Sequence, residues 1–305
     1  METARGAASG AKDGVCLRRS LEVDGAEIRY DVRGSGDLTL VLVHGHQAHH
    51  AWWHSVEREL SANWRVALLD LSGHGDSGHR DSYGGDVWVR EVLAVVEAST
   101  DDRVVLVGHS MGGRIALAAA AATRSSRICG VIMFDSAVPL DGPPRVKPWD
   151  PDRAPRLFQS REEATARFRL MPPQPEVMPE IWGPLVGRSI REVPGGWTWK
   201  HDQRGLPAFV DEFGDSLNAV DIPVSYMWGT ESRVVGPATV DYIRANFTVD
   251  QISVVEMQGV HHHMILEAPA RCAFLVDRFV RGLVAERGGD MDAETPALPR
   301  PRSNG

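Results

Sequence analysis

Ser110 stands at the centre of Gly108-His109-Ser110-Met111-Gly112, a G-x-S-x-G pentapeptide. The residues before it, DRVVLVGH, have the continuous apolar character of a buried strand, and those after it, MGGRIALAAAA, read as an Ala-rich helix. A sharp strand-to-helix turn forces its central residue into strained backbone angles, and glycines two positions to either side relieve the crowding. The hydroxyl then stands above the strand ends at a helix N-terminus, where free N–H groups and the helix dipole favour developing negative charge. The chemistry on offer is attack by serine on an acyl carbon. In a chain with 30 glycines the pentapeptide alone can arise by chance, and its strand and helix context is what gives it weight.

Histidine is the second signal. Of 12 in the chain, eight fall between His44 and His109 and three are consecutive at 261–263. His44-Gly45-His46-Gln47-Ala48-His49-His50 contains H-x-H-x-x-H, a spacing at which imidazoles bind zinc. It departs from the metallo-β-lactamase pattern H-x-H-x-D-H where that pattern needs its acid, because Ala48 is there. Three consecutive histidines in an extended turn cannot all face one ion. The cluster is therefore read as the rim of a serine site, with no metal and no cofactor. His50, His54 and His79 are taken as loop histidines without a role, and His74 as structural.

The elements that must position these residues are legible as alternating strands and helices. LTLVLVHG (38–45), WRVALLDL (64–71), DRVVLVGHS (102–110), CGVIMFD (129–135), PVSYMWG (223–229) and QISVVEM (251–257) are rich in β-branched residues. LRRSLEV and AEIRYDV, split by Asp24-Gly25, alternate with a period of two and predict an edge hairpin. Helices are expected at about 84–98, 112–123, 237–246 and 267–285. This alternation predicts an α/β fold, with a mostly parallel eight-stranded sheet and helices on both faces. The interval 140–219 breaks the rhythm, being rich in Pro and Trp without a convincing strand, and is expected to form a helical lid inserted after the sixth strand. The core then comprises 17–139 and 220–287, with disordered ends at 1–16 and 288–305.

Composition narrows the function. Hydrophobic residues make up 43% of 305, enough for a sizeable core, and the net charge of −8 argues against nucleic acid or an anionic membrane as partner. Three scattered cysteines, and an N-terminus without the apolar core of a signal peptide, suggest a reducing, cytoplasmic location.

Taken together the motifs resemble the serine-type α/β-hydrolase family, over roughly residues 17–285. His44-Gly45 ends an early strand and precedes Trp52-Trp53. Asp70-Leu71-Ser72-Gly73-His74-Gly75-Asp76-Ser77 resembles that family's D-x-x-G-x-G-x-S segment. The serine turn and a late histidine before Glu267-Ala268-Pro269 complete the order. The resemblance implies a base five residues before Glu267, which is His262, with His261 and His263 as neighbouring candidates. The commonest acid position, three residues after the glycine ending the seventh strand, holds Ser232, which cannot carry the charge. The other family position, at the end of the sixth strand, holds Asp135, and Glu231 is the alternative. Backbone N–H groups of His46 and Met111 are the expected oxyanion donors.

For the substrate, Gln47, Trp52, Trp53 and Trp199 are candidate pocket residues, whereas Arg167, Arg169 and Lys200 are read as surface charge, with contact to an anionic substrate group as the alternative. The expected activity is hydrolysis of a carboxylic ester, lactone or thioester of a medium-sized apolar or aromatic small molecule through an acyl-enzyme. Two alternatives are a cofactor-independent dioxygenase that uses the His–Asp pair as base, and a non-catalytic small-molecule receptor. The oligomeric state is left open.

Overall fold

The computed structural model describes residues 16–83, 86–100, 102–123, 125–138, 148–175, 177–207, 209 and 213–291. The expected disordered segment 1–16, apart from Cys16, and residues 292–305 of the expected tail lie outside the described residues.

Eight strands form one sheet: β1 (Arg19–Val23), β2 (Ala26–Arg33), β3 (Leu38–Val43), β4 (Arg65–Leu69), β5 (Arg103–His109), β6 (Ile128–Phe134), β9 (Val224–Gly229) and β10 (Ile252–Met257). Their spatial order is β1-β2-β4-β3-β5-β6-β9-β10. The pairs β1/β2 and β2/β4 are antiparallel and the remaining five are parallel. Asp24 and Gly25 both take positive φ, 47° and 77°, as the tight turn of the first hairpin requires.

The central strands are apolar throughout because helices cover both faces. Along β3, Val41 and Val43 join one core cluster while Leu40 and Leu42 join the other, the alternation that a period of two imposes. The first face is covered by α2 (Val87–Ser99), α3 (Met111–Ala122), α6 (Phe213–Asn218) and α7 (Pro237–Asn246), through residues such as Trp88, Ile115, Leu217 and Ile243. The second is covered by α1 (His54–Leu60), the short α8 (Met264–Glu267) and α9 (Pro269–Met291), through Val56, Leu60, Ile265, Val276 and Val280. Anchored by those residues, α9 runs past the expected end at 285 and takes in Gly288 and Gly289. Each helical glycine costs only about 1 kcal/mol, and no proline interrupts the chain before Pro296. Among the described residues, no helix is long and apolar enough to cross a membrane.

Between β6 and β9 lies the insertion, with α4 (Arg161–Arg167), α5 (Pro179–Arg188), β7 (Ile190–Val193), β8 (Gly196–Trp199) and α6. The antiparallel β7/β8 hairpin corrects the expectation of a purely helical insertion. Strands of four residues are too short to show a period. This pair depends on contacts remote in sequence: Phe158 exchanges two 2.8 Å backbone hydrogen bonds with Trp197, and its ring packs with Ile190 and Trp199. Gly196 is required there, because a Cβ would lie 2.3 Å from the Phe158 carbonyl oxygen.

Strand β3 has β4 on one side and β5 on the other, so the chain reverses its winding direction at β3/β5. The carboxyl ends of two such strands leave a crevice, and ligands bind there in open α/β sheets. Ser110 follows β5 at that crevice, and Gly45 follows β3 beside it.

Candidate active site

Ser110 links β5 to α3 with φ 54° and ψ −122°, a conformation L-residues rarely adopt. Its neighbours leave no alternative. A Cβ on Gly108 would lie 2.2 Å from the Gly112 carbonyl oxygen, and one on Gly112 would lie 2.3 Å from that of Val43. The Ser110 N–H donates to the Phe134 carbonyl at 2.8 Å, which ties the turn to the end of β6. The side chain is half-buried and faces a cavity of about 320 Å³.

His262, in the turn after β10, lines the same cavity. Its Nδ1 is 2.6 Å from Oδ2 of Asp135, which follows β6 with φ 48°. Asp135 is fully buried and its two oxygens are occupied. Oδ1 accepts the Gly229 N–H at 3.0 Å, and Oδ2 also accepts the Ser232 hydroxyl at 2.5 Å. With Nδ1 donating to a carboxylate, Nε2 of His262 carries the lone pair that a general base needs. Glu231 is exposed, and its described contact is through its backbone N–H, 3.0 Å from the Val260 carbonyl oxygen. His261 turns away to Glu267, with Nδ1 3.0 Å from Oε1. His263 is buried and its Nε2 lies 3.3 Å from the Pro172 carbonyl oxygen.

Two contributors here escaped sequence reasoning. Ser232 cannot carry a charge, and its hydroxyl instead hydrogen-bonds Asp135. His109 reads in sequence only as part of the pentapeptide, yet its Nε2 lies 2.9 Å from the carbonyl oxygen of His262, holding the backbone of that residue. Neither has a sequence signal, since each partner lies nearly 100 residues away or more.

The loop after β3 approaches Ser110 closely: a Cβ on Gly45 would lie 3.3 Å from the Ser110 Cβ. Gly45 to Ala48 form a turn closed by the Ala48 N–H to the Gly45 carbonyl at 3.2 Å, with Gln47 at φ 57°. His46 sits in that turn, and Met111 opens α3, where helix geometry gives the N–H no partner within the helix. Asp70, at the end of β4, fixes the loop from behind. Oδ1 accepts the His50 backbone N–H at 2.6 Å and lies 2.9 Å from His50 Nδ1, and Oδ2 accepts the Asp76 N–H at 2.8 Å. Burial opposes ionisation of Asp70, but the charge and hydrogen bonds of His50 outweigh it and hold the carboxyl well below its usual range. His50 is thus a buried anchor rather than a loop histidine without a role, because only the fold brings Asp70 to it.

The H-x-H-x-x-H stretch does not converge. His44 Nε2 accepts the Leu71 N–H at 3.1 Å, His46 Nε2 lies 3.2 Å from the Leu206 carbonyl oxygen, and His49 Nε2 lies 2.9 Å from the Ser189 hydroxyl. Burial pushes His49, His74 and His109 well below the ordinary imidazole range, and brings His263 down to about 3.

Gln47, Trp52 and Trp199 line the cavity. Trp53 does not. It is fully buried on the other side of its turn, edge-on to Phe134 with ring centroids 6.1 Å apart. Adjacent residues entering a helix point in different directions, so the Trp52-Trp53 pair divides between cavity and core. Phe168 from the insertion adds a third aromatic wall, and His201 lines the cavity as well. Arg167, Arg169 and Lys200 also line it, which revises their reading as plain surface charge. Lys200 is paired with Asp76, and Arg167 and Arg169 are exposed at the rim. No Asp or Glu is among the described residues that line the cavity.

Residues 40–273 match the model of a family described as the alpha/beta hydrolase family. The chain is 35% identical to Lipase LipV of Mycobacterium tuberculosis over 108 residues, which is 35% of this chain and 41% of that protein. It is 27% identical to the pimeloyl-[acyl-carrier protein] methyl ester esterase of Aliivibrio salmonicida over 242 residues, 76% of this chain and 88% of that one. Among solved structures, a thioesterase domain from the curacin biosynthetic pathway superposes with a TM-score of 0.69 at 24% identity, covering 85% of this chain and 98% of that one.

Proposed function

This chain belongs to the alpha/beta hydrolase family, and from that premise we propose that it is a serine hydrolase that cleaves a carboxylic ester, lactone or thioester of a small molecule through an acyl-enzyme. The observation that carries the reading is the 2.6 Å contact of His262 Nδ1 with Asp135, facing the same cavity as a serine held at φ 54°. In this mechanism Ser110 Oγ attacks the acyl carbon while His262 Nε2 takes its proton. Asp135 holds the imidazole in that tautomer and stabilises the imidazolium. The N–H groups of His46 and Met111 receive the developing oxyanion. His262 then protonates the leaving oxygen or sulfur, and water repeats the sequence to release the acid and free Ser110.

The cavity suits a substrate of medium size. Trp52, Phe168 and Trp199 offer flat apolar contact, and Arg167 and Arg169 at the rim, with no lining carboxylate among the described residues, favour a substituent bearing negative charge. The insertion serves as the lid in this reading. Free Cys16, Cys129 and Cys272 fit the reducing cytoplasm.

Labelling with a fluorophosphonate probe tests the proposal. Wild type is expected to label and Ser110→Ala is not, and absence of labelling in the wild type would overturn the serine mechanism. Turnover that disappears without O₂ would instead support the dioxygenase alternative.

A further inference from the structure

His109, His262 and His263 come together although they lie in two separate parts of the chain. One ring nitrogen from each lies within 4.8 Å of the others, all three side chains are buried, and all three line the cavity. Their ring centroids stand 4.9 Å (His109 to His262), 4.8 Å (His262 to His263) and 6.0 Å (His109 to His263) apart.

Each ring has a hydrogen-bond acceptor against one of its nitrogens. His262 Nδ1 faces Asp135, His109 Nε2 faces the His262 carbonyl, and His263 Nε2 faces the Pro172 carbonyl. An acceptor at one nitrogen fixes the proton there and leaves the lone pair on the other. In His109 and His263 that other nitrogen, Nδ1, is buried with no hydrogen-bond partner among the described residues. An imidazole whose N–H is held by a carboxylate or a backbone carbonyl is the outer-shell arrangement that orients metal-binding histidines.

We propose that His109, His262 and His263 form a three-imidazole site for a zinc-class divalent cation, and that the bound ion shuts off the serine chemistry by taking the lone pair of His262. Imidazole nitrogens suit zinc, copper and nickel, whereas magnesium and calcium require oxygen ligands that the trio lacks. Zinc–nitrogen bonds of about 2.0–2.1 Å leave a fourth tetrahedral position for water. While the ion is bound, His262 Nε2 has no lone pair with which to accept the Ser110 proton. Binding of the ion stands on the geometry alone, and the inhibitory consequence rests on the serine-hydrolase reading.

The test uses the full chain, stripped of metal with a chelator and titrated with Zn²⁺ and Co²⁺ by calorimetry and visible absorption. One equivalent is expected to bind, with the intense visible bands of tetrahedral nitrogen-ligated Co²⁺. Zn²⁺ is expected to slow fluorophosphonate labelling, and chelator to restore it. His263→Gln should weaken Zn²⁺ binding by more than about tenfold, since even outer-shell changes commonly cost that much. His201→Gln, at a cavity histidine outside the trio, should keep wild-type zinc affinity. Absence of stoichiometric binding, undiminished binding in His263→Gln, or an equal loss in His201→Gln would overturn the site. Should His263→Gln not fold, imidazole nitrogen NMR of the wild type decides, because Zn²⁺ must shift the three named rings and not others. Zinc binding by a protein that never reacts with phosphonate would refute the serine reading and leave the site standing. Phosphonate reactivity indifferent to bound zinc would refute the inhibition.

Discussion

The hydroxyl of Ser232 donates to Oδ2 of Asp135 at 2.5 Å, the same oxygen that faces His262 Nδ1. Ser232 stands three residues after Gly229, where a protein with its acid on the following strand would carry a carboxylate. Here β6 supplies the carboxylate and β9 supplies its hydrogen bonds, through Ser232 and the Gly229 N–H. Ser232 Oγ also accepts the N–H groups of Val234 and Val235, at 3.0 and 3.1 Å, so one side chain both shapes the turn and holds Asp135.

Ser232→Ala should therefore lower kcat by about ten- to a hundredfold with little change in KM, because a hydrogen bond to a charged group contributes about 1.5–3 kcal/mol. Ser232→Thr, which keeps the hydroxyl, should recover most of the loss. A larger KM effect than kcat effect would assign Ser232 to the turn alone.

Asp135→Asn should lower kcat by about 10⁴, the loss expected when the imidazole is left in the wrong tautomer. Glu231→Gln should act like wild type, because Glu231 is exposed. Steady-state kinetics of the two variants with one p-nitrophenyl ester would separate them.

Acid should destabilise the protein through its buried neutral histidines. His263 has a folded pKa of about 3 against 6.5 unfolded. The unfolded chain thus takes up a proton that the folded one refuses, and stability falls as pH drops from 6.5 toward 3. One such group costs about 1.4 kcal/mol at pH 5.5. Burial displaces His49, His74 and His109 in the same direction, which adds to the effect. Melting temperatures at pH 7.5, 6.5 and 5.5 should fall with increasing steepness, and His263→Gln should flatten the curve.

Trp52 and Trp53 should separate function from stability. Trp53→Ala should cost about 3–5 kcal/mol in denaturant unfolding, as a large core truncation does. Trp52→Ala should cost less stability and chiefly raise KM, because Trp52 lines the cavity.

Asp70→Asn should loosen the loop that carries His46. Weakening a buried hydrogen bond to a carboxylate costs about 1.5–3 kcal/mol, and here one oxygen holds both the His50 backbone N–H and its Nδ1. A lower melting temperature together with a reduced kcat is expected. A change in the melting temperature alone would detach Asp70 from catalysis.

Sequence alone determined what local chemistry dictates. Gly108 and Gly112 mark the strained serine because only glycine tolerates the contacts of that turn. Asp24-Gly25 marks the hairpin because both residues need positive φ, and the continuous apolar runs mark strands covered on both faces. The order of the motifs along the chain was sufficient to point to the family. Tertiary structure decided whatever depends on partners distant in sequence. Asp135 and Glu231 look alike as carboxylates in a string of letters, and only the packing of β6 against β9 sets one 2.6 Å from His262 and leaves the other exposed. The same holds for the split between Trp52 and Trp53, the β7/β8 hairpin that needs Phe158, and the meeting of His109 with His262 and His263. Such contacts follow from how strands are ordered in the sheet, and no short window of sequence records that order.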